Sequence, residues 1–220
     1  MKYISFSLWG DKPIYNIGAI KNAKLKNKIY PDWEMIVYYD KSVPKKTIVE
    51  LKLMGCILVD MTNSPIYGCF WRFLAADLMD SEHIIIRDCD SRISEREKSA
   101  VDQWINSGKT LHVMRDHPYH GIPYGSNKLG ILAGMWGIKG NSYPFEKNIL
   151  KYQENKFNTY GVDQNFLELV YDKYLDDRIT HDEFFEKKPF PKKRDGFFFV
   201  GGRIDENDKP VGEDHLILGR

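Results

Sequence analysis

The 220-residue chain lacks the marks of several large protein classes. It has only three cysteines, Cys56, Cys69 and Cys89, and no C-x-x-C pair. That excludes a disulfide framework and a zinc finger, and it implies reduced thiols and a cytoplasmic protein. Nowhere do 18 apolar residues run together, so no transmembrane segment is expected. The opening MKYISFSLWGDKP holds too short an apolar run for a signal peptide. Charge of one sign is missing as well. Thirty-two Lys and Arg face 31 Asp and Glu, leaving +1, without the basic excess of a general nucleic-acid binder. No internal repeat or low-complexity stretch is present.

What is there is apolar, at 42%, and aromatic, at 14%, which is too rich for disorder. A chain of this size buries roughly 70% of its unfolded surface without covalent staples. One compact α/β domain is expected.

Periodicity supplies the elements. KYISFSLWG alternates Ile4, Phe6 and Leu8 with polar or small neighbours and predicts a first strand. Residues 14–29 space Ile17, Ile20, Ala23, Leu25 and Ile29 as on a helix closed by Pro31. EMIVYYD (34–40) and CILVDM (56–61) predict two more strands, with a helix between Pro44 and Gly55. FWRFLAADLM (70–79) predicts a helix. HIIIRDCD (83–90) is apolar on both faces and belongs mid-sheet, covered by helices. Ser94 and Glu97 form a capping-box pattern for a helix that Gly108 ends. TLHVMRD (110–116), GMWGIKG (134–140) and FFFVGG (197–202) predict further strands, and 163–175 a helix. Alternation weakens after residue 116. A binding half (1–115) and a more irregular half (116–220) are therefore expected to share one sheet.

Asp88 and Asp90 carry the most chemical information. In an extended chain, residues two apart point to one side, so both carboxylates can reach one cation. Cys89 between them points away and packs as a small hydrophobe. Ligands of open α/β sheets sit beyond the strands' carboxyl ends. Hard oxygen ligands suit Mn²⁺ or Mg²⁺, which add water and substrate phosphates. The plainer reading, a turn with two solvated aspartates, fits less well after IIIR and before a capped helix. His117 and His120 (HPYH) do not make a zinc site, because Pro118 breaks the helical spacing. An acceptor loop is expected there. EKKPFPKKRD (186–195) places five basic residues in ten. It reads as a solvated loop, a flap over a diphosphate, or a contact to an anionic lipid or polysaccharide.

Taken together, SLWGDKPIY, VYYDKSVP, FWRFLAAD, IIIRDCDSRIS, HVMRDHPYH, AGMWGIKG, YGVDQNFL and HDEFF resemble, in that order, the small GT-A-type glycosyltransferases. The resemblance is to nucleotide-sugar enzymes with a D-x-D motif, like those of bacterial polysaccharide loci and of large algal (chlorella) viruses. It implies a GT-A, Rossmann-like fold with a mixed, mainly parallel sheet flanked by helices. It also implies a first half (1–115) binding the nucleotide sugar and a second (116–220) providing acceptor and catalytic groups.

Carried over by residue, the resemblance places Ser7, Leu8, Trp9, Asp40, Arg72, Asp77 and the Asp88-Cys89-Asp90 segment against the nucleotide sugar. Asp88 and Asp90 become metal ligands, with His181 as a third. Asp163 and Gln164 match a D-Q pair near the transferred sugar, and Asp116 is the rival base. The plainer alternatives are a salt bridge from Arg72 to Asp77, a core role for Trp9, an N-cap role for Asp163 and a merely packed His181.

The implied activity is Mn²⁺- or Mg²⁺-dependent transfer of a hexose from a UDP-sugar to a carbohydrate or glycan acceptor, with retention of configuration. Two alternatives stay open: an inverting enzyme using Asp116 as base, and a non-catalytic nucleotide-sugar-binding module. A haloacid-dehalogenase-like phosphatase is excluded, since its D-x-D lies on the first strand. The chain is short for the fold and ends at VGEDHLILGR, as a catalytic domain cut from a longer protein would.

Overall fold

A computed structural model describes residues 1–124, 126–196 and 198–218. Seven strands form one sheet in the order β3-β2-β1-β4-β6-β5-β7. They are β1 (Lys2–Leu8), β2 (Glu34–Tyr39), β3 (Ile57–Asp60), β4 (His83–Arg87), β5 (Leu111–Arg115), β6 (Met135–Lys139) and β7 (Arg178–Asp182). All neighbours pair in parallel except β6, which runs antiparallel between β4 and β5. β4 is buried along its whole length, as its three isoleucines require of a strand covered on both faces.

Helices cover each face. On one side lie α1 (Pro13–Ile29), α2 (Lys45–Leu53) and α3 (Glu95–Ser107), whose Ala19, Leu51 and Trp104 pack with Ile4, Phe6 and Ile85. On the other, α4 (Phe145–Gln153) and α5 (Val162–Lys173) bring Ile149 and Phe166 against Ile84, Ile86 and Trp136. A four-residue helix, α6 (Asp214–Ile217), closes the described chain. Among the described residues no helix is long and apolar enough to cross a membrane.

Four elements depart from the sequence reading. FWRFLAAD lies in a 3-10 helix, Gly68–Asp77, rather than an α-helix. Its middle is bound sideways to β1: Ser5 Oγ donates to the Arg72 carbonyl at 2.6 Å, and Arg72 N–H donates to Ser7 Oγ at 2.9 Å. Backbone groups spent on a neighbouring strand are lost to an α-helical ladder. β4 stops at Arg87, so Asp88, Cys89 and Asp90 lie in the turn beyond it. Residues 198–202 form turns, not a strand, and Phe197 lies outside the described residues. The capping box is half made. Ser94 Oγ accepts from Glu97 N–H at 3.2 Å, but the Glu97 carboxylate turns inward to Arg87 at 2.8 Å. α4 and β7 are elements that periodicity missed.

Candidate functional site

Strands β1, β2 and β3 step outward in one direction, and β4 is laid on the opposite side of β1. The order in which strands are added thus reverses at β1, while β1 and β4 stay parallel, and a crevice opens beyond their carboxyl ends, the place where open α/β sheets bind ligands. A pocket of about 810 Å³ lies there. Its lining includes Ser7, Leu8 and Trp9 after β1, Arg72 from the 3-10 helix, Asp88, Cys89 and Asp90 after β4, and Asp163 and Gln164 from α5.

Arg72 organises this pocket. Its guanidinium is buried and forms ion pairs with Asp88 and, at 3.0 Å, with Asp163 Oδ2. It also donates to the Arg87 carbonyl at 3.3 Å. Burial alone would lower the Arg72 pKa, but the Asp88 and Asp163 charges outweigh it and raise it. Its Nε is buried without a hydrogen-bond partner. Asp77, the partner weighed from sequence, stands elsewhere. Its two oxygens accept Phe145 N–H at 3.0 Å and Glu146 N–H at 2.7 Å, so it caps α4 and does not face the pocket.

The carboxylates are poorly compensated. Burial raises the Asp163 pKa, with Arg72 opposing and Asp88 adding to the rise. Burial and then the neighbouring Asp88 charge raise that of Asp90, which Arg203 Nε approaches at 3.2 Å. Asp163 is the second residue of α5, not its cap, a position that Gly161 takes at φ 82°. The Gln164 side-chain oxygen is buried with no partner. Cys89 sits in the core with its Sγ 3.4 Å from the Ser7 carbonyl, and burial pushes its thiol pKa up.

Close backbone approach shapes the walls. A Cβ at Gly134 would collide with the Asp88 carboxylate, and one at Gly18 with the Cys89 carbonyl. Trp9, weighed as a core aromatic, is 48% exposed and stands edge-on to Trp71 at 6.2 Å, so its ring faces the pocket.

Besides Asp77, three sequence-predicted residues lie away from this pocket. His181 is on β7, with Nδ1 2.8 Å from His112 Nε2 and Nε2 2.8 Å from Gln103 Oε1. Both ring nitrogens are occupied, so it does not join Asp88 and Asp90. Asp116 is fully buried and spends its oxygens on Arg96, at 2.8 and 2.9 Å, Arg194, at 2.7 Å, and Val200 N–H, at 2.9 Å. It holds chain segments together, and its two oxygens are committed to these four donors. Asp40 acts at one remove. It accepts from Ser42 N–H at 3.0 Å and from the Ser42 hydroxyl, whose oxygen accepts Gly10 N–H at 2.7 Å on the pocket rim.

His120, from the expected acceptor loop, also lines the pocket, and sequence reasoning missed other lining groups: Tyr15, Cys69, Gly134, Gly201 and Arg203. Gly134 lies within the quoted AGMWG segment, but its close approach to Asp88 shows only in the structure. Arg203 carried no signal. None of residues 186–195 lines this pocket, so the basic loop does not cover it. Among the described residues no group of three or more His, Cys, Asp or Glu is arranged to hold a metal.

No family model and no curated protein matches the chain. Solved structures do. The galactosyltransferase LgtC, in complex with donor and acceptor sugar analogues, superposes with a TM-score of 0.52 at 13% identity, covering 83% of this chain and 74% of LgtC. The glycosyltransferase GlyE of Streptococcus pneumoniae gives 0.54 at 15%, covering 83% of this chain and 45% of GlyE. The mannosyltransferase PcManGT of Pyrobaculum calidifontis, in complex with GDP-Man and Mn²⁺, gives 0.51 at 12%, covering 83% of this chain and 55% of PcManGT. The chain thus spans about half the length of the last two. At such identities the likeness is one of fold, and the fold is that of the GT-A glycosyltransferases.

Proposed function

We propose that the chain is a metal-dependent glycosyltransferase that moves a sugar from a UDP-sugar to a carbohydrate hydroxyl with retention of configuration. The observation that carries this reading is the convergence of Asp88, Asp90, Arg72 and Asp163 on one pocket at the β1/β4 reversal of a GT-A fold.

The pocket suits Mn²⁺ or Mg²⁺. Asp90 holds its proton more tightly than usual because burial and the Asp88 charge leave it short of positive charge. Two carboxylates, with water and diphosphate oxygens completing the set, are the usual ligands of these hard cations. Asp88 and Asp90 would hold the ion, and it would neutralise charge on the departing diphosphate.

The chain's own residues do the rest. Arg72, held by Asp88 and Asp163, presents a planar cationic donor to ribose or phosphate oxygens. Asp163, fixed by Arg72 and by Gln164 N–H at 3.0 Å, accepts hydrogen bonds from the donor sugar's hydroxyls. The unpartnered Gln164 oxygen offers one more acceptor beside it. Trp9 gives an apolar face for the base or ribose. A retaining transferase must stabilise positive charge on the sugar ring, as glycosidases do. The enclosure of Asp116 by Arg96, Arg194 and Val200 supports retention over an inverting route with that base.

The similar structure with GDP-Man shows that this fold admits another nucleotide, so the UDP assignment rests on the SLWG and YYD resemblance. A thermal-shift panel tests it. At a hundredfold excess over its dissociation constant a donor adds about 2.7 kcal/mol, roughly 5–10 °C for a protein of this size. UDP-sugars with Mn²⁺ should give that shift and GDP- or CMP-sugars a smaller one. Equal protection by GDP-sugars overturns the donor, and protection indifferent to EDTA overturns the metal. Asp163→Asn should cut transfer at least tenfold while nucleotide binding holds. An inverted anomer in the first-formed product overturns retention.

A further inference from the structure

A second cavity, of about 770 Å³, lies beside the donor pocket and shares no lining residue with it. The strap 201–204 separates the two. Gly201 and Arg203 line the donor pocket, whereas Gly202 and Ile204 line the second cavity. The strap is fixed in place, because Ile204 N–H donates to the Asp90 carbonyl at 2.7 Å and Val200 N–H to Asp116 at 2.9 Å.

Two kinds of surface meet in this cavity. Leu25, Ile93, Phe199 and Ile204 supply an apolar lining. Lys24 of α1 and Lys192 and Lys193 of the basic loop supply charge from two separate elements, and all three side chains are exposed. Among the described residues none of the three enters an ion pair, unlike Lys21 and Arg92, which share Asp208. Arg96 also lines the cavity, but Asp116 and Glu183 neutralise it. Against the three free lysines stand two unpaired acids, Glu95 and Asp195. The basic loop is anchored where it meets the cavity, through Arg194 on Asp116 and through Arg96, which donates to the Lys192 carbonyl.

Apolar walls favour an apolar chain by roughly 25 cal/mol per Å² removed from water. Unpaired lysines favour an anion, and they hold phosphate as point charges. We propose that this cavity binds an amphiphilic phosphate, an apolar chain with a phosphate or diphosphate head, through Lys24, Lys192 and Lys193. The proposal stands on the lining of this cavity alone and does not need the donor assignment.

Calorimetric titration with farnesyl phosphate, below its aggregation concentration, tests it, with farnesol and inorganic phosphate as the two half-ligands. Farnesyl phosphate should bind at least tenfold more tightly than either. The triple variant Lys24→Glu/Lys192→Glu/Lys193→Glu should weaken it at least tenfold, and Phe198→Ser, at a half-exposed apolar position of the same lining, should weaken it without changing phosphate binding. The triple variant should keep wild-type melting temperature, and both variants should keep UDP–Mn²⁺ binding. Wild-type affinity in the triple variant overturns the proposal, as does displacement of the probe by UDP and Mn²⁺, which would place it in the donor pocket. Binding to anionic vesicles without binding to the monomeric probe also overturns it, in favour of a membrane-docking face.

Discussion

Two arginine–carboxylate clusters stand beyond the carboxyl ends of the same sheet, and they differ in how fully their charges are met. In the first, Arg72 shares its guanidinium between Asp88 and Asp163, and burial raises the Asp163 and Asp90 pKa values. In the second, Arg96 and Arg194 meet Asp116 and Glu183, and Arg115 meets Asp182 and Glu186. There Arg115, Arg178 and Lys188 hold the Glu186 pKa down to about 2, against the opposing effect of burial. The carboxylates of the first cluster line a pocket, whereas those of the second line neither cavity and are closed within the cluster, although Arg96 borders the second cavity. Carboxylates left short of positive charge in a cleft mark a binding site, and satisfied ones mark a fastening. From sequence Asp116 and Asp163 were both candidates for the reaction, Asp116 beside the expected acceptor loop and Asp163, by resemblance, near the transferred sugar. Only their partners separate them.

The largest expected effect falls on the closed cluster. Asp116→Ala leaves two guanidiniums without their buried partner, at a cost of about 3–5 kcal/mol. At about 2–4 °C per kcal/mol for this chain length, the melting temperature should fall by roughly 6–20 °C. Differential scanning calorimetry measures it. A fall below 3 °C would mean that the cluster is not sealed and that Asp116 is available for chemistry after all.

Removing charge from the open cluster should do the reverse. Asp88→Asn and Asp90→Asn should each lower metal-dependent donor hydrolysis at least a hundredfold, about 2.7 kcal/mol of barrier, with the melting temperature within about 3 °C of wild type. The Asp90 change should disturb the fold least, since it relieves a buried, charge-crowded carboxylate. Near-normal turnover in either variant would remove the distinction between the clusters.

The two clusters were unequally legible. β1, β2 and β4 declared themselves because buried strands need apolar residues at every or every second position, and Ile84, Ile85 and Ile86 satisfy that on both faces. Asp88 and Asp90 followed from the strand they end. β7 was hidden because RITHD buries polar groups, with Thr180, His181 and Asp182 all inside. The expectation of His181 at the metal came from the resemblance alone, and no local pattern showed that its ring faces His112 and Gln103. FFFVGG misled in the opposite way. Val200 packs under a loop with Met114, Met135 and Phe190, and apolar content without a pairing partner is not a strand. Arg72 was found by resemblance, but its partners, 16 and 91 residues away, could not come from local spacing.

A pH titration separates the clusters by sign. Glu186 has a folded pKa below its ordinary value, so the stability it contributes is present above about pH 4.5 and is lost as the pH falls toward 2. Asp163 has a raised folded pKa, so its ionised form costs stability, and that cost is relieved as the pH falls. Glu186→Gln should therefore flatten the acid limb of the stability curve, measured by urea unfolding from pH 6 to pH 2.5. Asp163→Asn should leave that limb as steep or steeper. Equal slopes in wild type and Glu186→Gln would show that the second cluster does not hold its charge.

The smallest expected effect concerns the helix that serves the closed cluster. α3 begins at Glu95, and its first turn carries Arg96 to Asp116 and Glu97 to Arg87. Ser94 Oγ caps this turn through Glu97 N–H alone, since the Glu97 carboxylate is committed to Arg87 and Tyr30 rather than to the reciprocal cap bond. Ser94→Ala should cost about 1 kcal/mol, a melting-temperature loss of about 2–4 °C, and Ser94→Asp should restore most of it. Because Arg96 is also held by two acids and by the Lys192 carbonyl, the turn should fray without releasing it. UDP–Mn²⁺ binding should then be unchanged. If Ser94→Ala weakened that binding as well, the closed cluster would be part of the donor site's support, transmitted through Val200 and the strap to Arg203 and Asp90. The two clusters would then have to be treated as one.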